Sequence, residues 1–154
     1  MDSTFTSVMS LNMDYDTYRR KYFTDPVPEQ RFGFSGLHGI TLFFSDYTAA
    51  VDFYQQVLGP PAYLEGEYTR GWRIGDTWLT LLKGNAGSPR NVEVMLVMQT
   101  PSEVQRLREA ILAAGGEAGD VSDQLMYEPI TSCSARDPFG TDLLITCWKN
   151  TSKG

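Results

Sequence analysis

The feature that most constrains this sequence is the order of its predicted elements, which occurs twice along the chain. Residues 36–84 have the pattern of a strand, a helix and three short strands, and residues 91–149 have the same pattern. The two stretches are not copies in sequence, so the repeat lies in the order of elements. With 154 residues in all, we expect both units to belong to one structural domain.

In the first unit, the β-rich apolar stretch 37–44 precedes Asp46, a residue type that favours a helix N-terminus. The helix that follows carries one apolar stripe, and Gly59 with the two prolines after it ends this helix. Strands are predicted over residues 62–69, 71–74 and 78–83. Turn-forming residues then fill 84–89, which we interpret as the linker between the units.

The second unit begins with the apolar strand 92–98. Thr100, Pro101 and Glu103 give the following helix a strong start, since they supply a capping side chain, a first-turn proline and an acidic third position. Gly115 and Gly116 end it. Strands are predicted over 117–120, 129–136 and 142–148, and the turn 137–140 joins the last two.

Residues 1–35 form an N-terminal extension with one predicted short helix. Asp14 favours its start, and Asp25-Pro26 favours its end. Such a helix could pack its aromatic face on the domain or on a partner subunit, or it could form a lid over a ligand site. The aromatic side chains on that face are Tyr15, Tyr18, Tyr22 and Phe23.

Composition excludes several classes of function. The formal charge of −6 argues against nucleic-acid binding, which needs clustered basic residues. A single histidine excludes multi-histidine metal centres, and two cysteines without Cys-x-x-Cys spacing predict reduced thiols. No stretch approaches the roughly 20 apolar residues of a membrane span, and no signal peptide is apparent. We therefore expect a cytoplasmic protein that contacts no membrane.

Several short motifs in a fixed order resemble the vicinal oxygen chelate superfamily, the group of glyoxalase I, bleomycin-resistance proteins and extradiol dioxygenases. They extend over about 36–149. Each is weak alone, and their order and spacing indicate the fold better than any one activity. The motifs are Leu37-His38-Gly39-Ile40-Thr41-Leu42, then Asp46, Phe53-Tyr54, Leu58-Gly59, Ala113-Ala114-Gly115-Gly116 and Asp137-Pro138-Phe139-Gly140.

The resemblance implies an α+β fold in which two βαβββ modules curve into an incomplete barrel, with helices outside and a ligand cavity inside. It also implies a homodimer. Metal-dependent members place ligands at four strand positions, which correspond here to His38, Thr80, Glu93 and Leu144. A leucine cannot ligate a metal and a threonine is a poor ligand, whereas a catalytic ion usually keeps about three protein ligands. We therefore expect no cofactor, although His38 and Glu93 could contribute to a divalent metal site, and Asp142 could replace Leu144 if the strand were shifted.

Alternation along the strands predicts which side chains line the cavity. If His38 points inward, Ile40, Leu42 and Phe44 do so too. Pairing Arg136 with Thr141 across the last turn would also place Cys133 on the cavity side, as a minor nucleophile candidate. The other predicted inward residues are Trp78, Thr80 and Leu82 in the first module, and Glu93, Met95, Val97, Asp142, Leu144, Thr146 and Trp148 in the second.

Three functions fit this arrangement. The first is a protein that binds an organic small molecule in an aromatic cavity without a complete metal site, and the net charge is compatible with a cationic aromatic ligand. The second is a metal-dependent lyase, isomerase or dioxygenase that uses His38, Glu93 and a further ligand. The third is a metal-free enzyme with Glu93 and His38 as base and acid. Candidate ligand-binding residues are Trp72, Trp78, Thr80, Met95, Asp142, Leu144 and Trp148, of which the three tryptophans could equally be core residues.

Overall fold

The computed structural model describes residues 13–31, 33, 36–84 and 92–149. Most of the expected linker 84–89 and residues 1–12 of the extension lie outside the described residues. The elements in chain order are α1 (Tyr15–Tyr22), β1 (Gly39–Phe44), α2 (Tyr47–Leu58), β2 (Tyr63–Leu64), β3 (Thr69–Ile74), β4 (Thr77–Lys83), β5 (Glu93–Val97), α3 (Pro101–Ala113), β6 (Glu117–Ala118), β7 (Ser122–Met126), β8 (Glu128–Arg136) and β9 (Asp142–Trp148).

The strands form two sheets with equivalent topology. The first has the order β1-β4-β3-β2, and the second has the order β5-β9-β8-β6, with β7 also paired to β8. In each sheet the first strand of the module pairs in parallel with the last one. In the part of the chain that the structure describes, no strand pair joins the two sheets, so they do not close into a barrel. The predicted α+β fold with two βαβββ modules is confirmed.

The helices begin where the sequence predicted. The side chain of Asp46 accepts a hydrogen bond from the Ala49 N–H at the start of α2, and Thr100 caps α3 in the same way through Glu103. Each helix packs on one face of its own sheet, and the side of the helix that points away from the sheet is exposed. The capping residues therefore fix where each crossover helix starts above its sheet.

One apolar core is shared by both modules. In the first module it includes Leu42, Phe44 and Leu81, and in the second module Leu96 and Ile145. The prediction that Leu42 and Phe44 face the cavity is therefore wrong. Regular alternation begins only at Gly39, because His38 precedes the strand, so Leu42 and Phe44 share the helix-covered face with Leu79 and Leu81. Ile40, at the start of the strand, is partly buried against the core and also lines a cavity with Thr41 and Thr80.

The second module contains a strand that the sequence did not predict. The strand after α3 is divided into β6 and β7, and both pair with β8. β7 begins Ser122-Asp123-Gln124 and lies at the sheet edge, where polar side chains reach solvent and leave no apolar alternation to recognise.

The predicted position of Cys133 is also wrong, because the last turn is longer by one residue. Arg136 pairs with Asp142, not with Thr141, so Cys133 lies opposite Ile145 on the core side. The extra residue enters the turn because the Asp137 carboxylate accepts from the Thr141 N–H at 2.8 Å. Cys133 is 1% exposed, and its burial raises the pKa of the thiol, so it is not a cavity nucleophile.

The N-terminal helix packs on the second module. The Tyr15 hydroxyl donates to the carbonyl oxygen of Tyr127 at 2.8 Å, and the Tyr18 hydroxyl accepts from the N–H of the same residue at 3.3 Å. Phe23 meets the Tyr127 ring edge to face. The described part of the extension thus contacts the β7–β8 turn and not the cavity of the first module, which favours docking on the domain over a lid.

Candidate functional site

A cavity of about 390 Å³ opens on the face of the first sheet that α2 does not cover. Parallel pairing of β1 with β4 brings Thr41 beside Thr80, and Gly39 beside Trp78. The volume of the cavity is within the usual range of small-molecule sites. The cavity is lined by His38, Gly39, Ile40, Thr41, Tyr63, Trp78 and Thr80.

The Tyr63 and Trp78 rings form the aromatic wall of the cavity. This wall depends on Gly71 in β3, the strand between β2 and β4. Tyr63 pairs with Gly71, and Gly71 pairs with Thr80. A side chain at Gly71 would come within 3.2 Å of Tyr63 and 3.3 Å of the Trp78 ring. Because this space is free, the two rings meet at 6.1 Å between centroids with an interplanar angle of 69°.

Two charged residues hold this wall in place. The Tyr63 hydroxyl donates to a Glu65 carboxylate oxygen at 2.6 Å, and that hydrogen bond, with the negative charge of Glu65, raises the pKa of Tyr63. The Arg73 guanidinium lies 5.0 Å from the centroid of the Trp78 ring and donates from Nη2 to the carbonyl oxygen of Gly75 at 3.0 Å. Sequence reasoning missed Tyr63 and Arg73, since only the register of the hairpin places them beside Trp78.

His38 enters the cavity from the segment just before β1. Its carbonyl oxygen accepts from the Trp78 N–H at 3.0 Å, which continues the β1–β4 pairing by one residue and fixes the backbone there. His38 shares the lining of the cavity with Thr80 and Trp78. At this position it can donate or accept a hydrogen bond to a ligand.

The remaining predicted site residues lie elsewhere. Met95 borders a crevice of about 160 Å³ between the modules, which shares Gly39, Ile40 and Trp78 with the cavity. Glu93, Asp142, Leu144 and Trp148 lie on the face of the second sheet opposite the core, where Leu144 is buried and Trp148 is exposed. Trp72 is 3% exposed in the core and donates to the carbonyl oxygen of Gly59 at 2.8 Å, so it is a core residue and not a cavity wall.

A small charged cluster occupies the start of the second sheet. Glu93 pairs in register with Asp142, and the Arg136 Nε donates to a carboxylate oxygen of Asp142 at 2.8 Å. Partial burial, and then the negative charge of Asp142, raise the pKa of Glu93. The structure thus places Glu93 beside Asp142, and His38 in the cavity of the first module.

The donor set can be tested against the divalent metal that the resemblance implies. Within residues 13–31, 33, 36–84 and 92–149, no three His, Cys, Asp or Glu side chains converge on a point. Thr80 offers a hydroxyl, and Leu144 offers no donor atom. The Asp142 carboxylate is already paired with Arg136, whose charge would repel a second cation. The described residues of one chain therefore do not fit such an ion.

Substitution of the two tryptophans should separate their roles. Trp72→Phe is expected to lower the free energy of unfolding by about 1 to 2 kcal/mol, because it removes buried volume and an indole hydrogen bond. Trp78→Phe should change it by less than about 0.5 kcal/mol, since this ring is only half-buried. Urea unfolding measures both, and equal losses would contradict the assignment of Trp72 to the core.

Glu93→Gln should make the protein more stable at pH 7. An acid whose pKa is higher in the folded chain than in the unfolded chain lowers the stability of the protein when the pH is above the folded-state pKa. It does not lower the stability when the pH is below the unfolded-state pKa. The gain should stay below about 1 kcal/mol, because Glu93 remains partly in water, and it should vanish below about pH 4. Urea unfolding from pH 3.5 to 7.5 measures it, with Glu29→Gln in an exposed segment as the control. A gain that does not depend on pH would contradict the electrostatic cause.

Comparison with known proteins agrees with this architecture. The family model described as the Glyoxalase/Bleomycin resistance protein/Dioxygenase superfamily matches residues 36–145. The chain therefore belongs to this superfamily. No curated protein sequence matches it.

Solved structures share the fold at low sequence identity. A glyoxalase/bleomycin resistance protein from Albidiferax ferrireducens T118 is 15% identical, with a TM-score of 0.63, covering 72% of this chain and 98% of that one. A virulence protein from Salmonella typhimurium is 20% identical, with a TM-score of 0.61 and coverages of 76% and 99%. A family enzyme from Burkholderia phytofirmans PsJN is 19% identical, with a TM-score of 0.59 and coverages of 73% and 98%. At these identities the likeness shows the fold alone.

In residues 13–31, 33, 36–84 and 92–149, the structure has no helix that is both long and apolar enough to cross a membrane.

Proposed function

We propose that this protein binds an organic small molecule in the cavity of its first module, without a complete metal site. The observation that supports this most directly is the cavity itself, which combines the Tyr63–Trp78 wall with His38 and two threonine hydroxyls. Apolar walls with a few convergent polar groups are typical of small-molecule sites. Superfamily membership supports the same type of function without indicating the ligand.

Binding to a panel of one- and two-ring aromatic compounds tests this proposal. The panel should contain uncharged, cationic and anionic members, and ligand-observed NMR followed by calorimetry measures their binding. At least one compound should bind with a stoichiometry of one per chain, and Trp78→Ala should weaken it about tenfold or more. Leu112→Ala, at an exposed position on α3, serves as the matched control. Binding that is equal in Trp78→Ala and the unmodified protein would contradict the proposal.

A second candidate is metal-free acid–base catalysis, favoured by the raised pKa of Glu93 beside Asp142. In this role Glu93 exchanges a proton with the substrate, and His38 would serve as the partner acid only for a substrate that extends from the cavity of the first module to Glu93 on the second sheet. Glu93→Gln should then abolish turnover of a bound compound while leaving its affinity largely intact.

Metal analysis tests the metal-dependent alternative, because a stoichiometric metal that is lost in His38→Ala would contradict both metal-free functions.

We also propose that the protein acts in the cytoplasm as a homodimer. Two free cysteines suit a reducing compartment. On the face of the second sheet opposite the core, Met95, Val97 and Trp148 are 48%, 51% and 39% exposed, and a second copy would bury them. Light scattering after size-exclusion chromatography should give twice the chain mass, and Val97→Glu should shift it to the monomer. A monomeric unmodified protein would contradict the homodimer.

A further inference from the structure

We infer that the ligand class of the cavity is a planar aromatic compound that carries one negative charge, most simply a ring carboxylate. This inference rests on the proposed small-molecule function and specifies its chemistry. It depends on the difference between the charge of the whole chain and the charge around the cavity. The chain as a whole is acidic, with a formal charge of −6, whereas the cavity is lined by uncharged residues and His38.

Arg73 places a positive charge beside the aromatic wall, where it can meet a ligand. It shares a register position with Trp78, and its guanidinium lies 5.0 Å from the indole centroid. Its Nε and Nη2 both donate to one carbonyl oxygen, that of Gly75. In the described part of the chain no carboxylate lies within 4.0 Å of Arg73. Three of its five N–H donors therefore remain for a ligand.

The Glu65 carboxylate, which contacts the aromatic wall, does not favour a cation. Glu65 accepts the Tyr63 hydroxyl at 2.6 Å, so this acid is engaged in holding the ring. Among the residues that the structure describes, no aspartate or glutamate lines the cavity, so a buried cation would have no carboxylate from them to compensate its lost hydration. An anion, in contrast, meets Arg73 beside the Trp78 ring and the threonines Thr41 and Thr80 in the cavity lining.

The shape of the cavity indicates a planar ring. Tyr63 and Trp78 present aromatic surfaces that offset-stacked or edge-to-face rings fill well. A volume of about 390 Å³ suits a one- or two-ring molecule better than a large one. A ring packed against Trp78 brings its carboxylate close to the guanidinium that lies over the same indole.

Three probes with the same ring and different charge test the inference. They are 2-naphthoate, 2-naphthylmethanol and 2-naphthylmethylammonium, titrated into the protein by calorimetry at low ionic strength. Naphthoate should bind about tenfold more tightly than the alcohol, and the ammonium compound should bind most weakly. In Arg73→Gln, naphthoate should bind no more tightly than the alcohol binds to the same variant, and Arg73→Lys should keep part of the preference for naphthoate. Arg106→Gln, on the exposed face of α3, is the control and should change nothing.

The outcomes separate the two proposals. If the alcohol or the ammonium compound binds as tightly as naphthoate, the inference about charge is overturned, whereas small-molecule binding in the cavity stands. If Arg73→Gln leaves the naphthoate preference intact, Arg73 does not select the anion and the inference is again overturned. If none of the three probes binds, both the inference and the proposed function are contradicted for this ring class.

Discussion

Asp137→Ala is expected to lower the free energy of unfolding by about 3 to 5 kcal/mol, the largest effect of any substitution proposed for this protein. The carboxylate is 1% exposed and accepts three hydrogen bonds. Two come from the N–H groups of Phe139 and Thr141 within the last turn, each at 2.8 Å. The third comes from the Tyr54 hydroxyl on α2, at 2.7 Å. Removal of the acceptor leaves the Tyr54 hydroxyl and the Thr141 N–H buried, and the Phe139 N–H partly buried, without this partner.

The hydrogen bond between Tyr54 and Asp137 also joins the two modules, since α2 belongs to the first and the turn to the second. Burial, and then the charge of Asp137, raise the pKa of Tyr54, so the phenol stays protonated and remains a donor. Tyr54→Phe should cost about 1 to 2 kcal/mol.

Urea unfolding measures both variants. Asp137→Asn is the milder substitution, because its carbonyl oxygen can still accept from the turn. If Asp137→Ala does not fold, Asp137→Asn and Tyr54→Phe still test the proposal. A loss below 1 kcal/mol in Asp137→Ala would show that the turn does not depend on this acceptor.

The fold could be predicted from the sequence because its signals are local. Capping residues at Asp46 and Thr100, and the glycines that end each helix, fix where α2 and α3 start and stop. The same kind of reasoning missed β7, an edge strand with polar residues on both faces. It also misjudged the last turn by one residue, which moved Cys133 to the wrong face of its sheet.

The candidate site was harder to predict, because it depends on the register between strands. His38, Trp78 and Thr80 could be placed in the cavity by alternation and resemblance. Tyr63 and Arg73 could not, because β2 is two residues long and its pairing with β3 across Gly71 leaves no pattern in the sequence. For the same reason, the sequence could not distinguish the core residue Trp72 from the cavity residue Trp78. They face opposite sides of one hairpin, and composition alone gives both the same chance of lining a cavity.

Gly39 is the residue at which the fold and the site constrain each other most directly. It lies beside Trp78 where β1 joins β4, and it lines both the cavity and the crevice between the modules. A Cβ atom there would overlap the carbonyl oxygen of Trp78 and would lie 2.9 Å from that residue's backbone nitrogen. The obstruction is backbone and not the end of a flexible side chain. β1 could accommodate a methyl group only by moving away from β4, which would displace His38 and Trp78 relative to each other.

Gly39→Ala is therefore expected to lower the free energy of unfolding by about 2 to 3 kcal/mol and to weaken binding of the cavity's ligand about tenfold or more. Urea unfolding and calorimetry with the tightest-binding aromatic probe measure the two effects. Gly33→Ala is the matched control, because a Cβ atom at Gly33 meets nothing within 4 Å. Unchanged stability in Gly39→Ala would mean that β1 and β4 are not held in this close pairing. A loss of stability with unchanged affinity would instead show that the ligand does not occupy the space between His38 and Trp78.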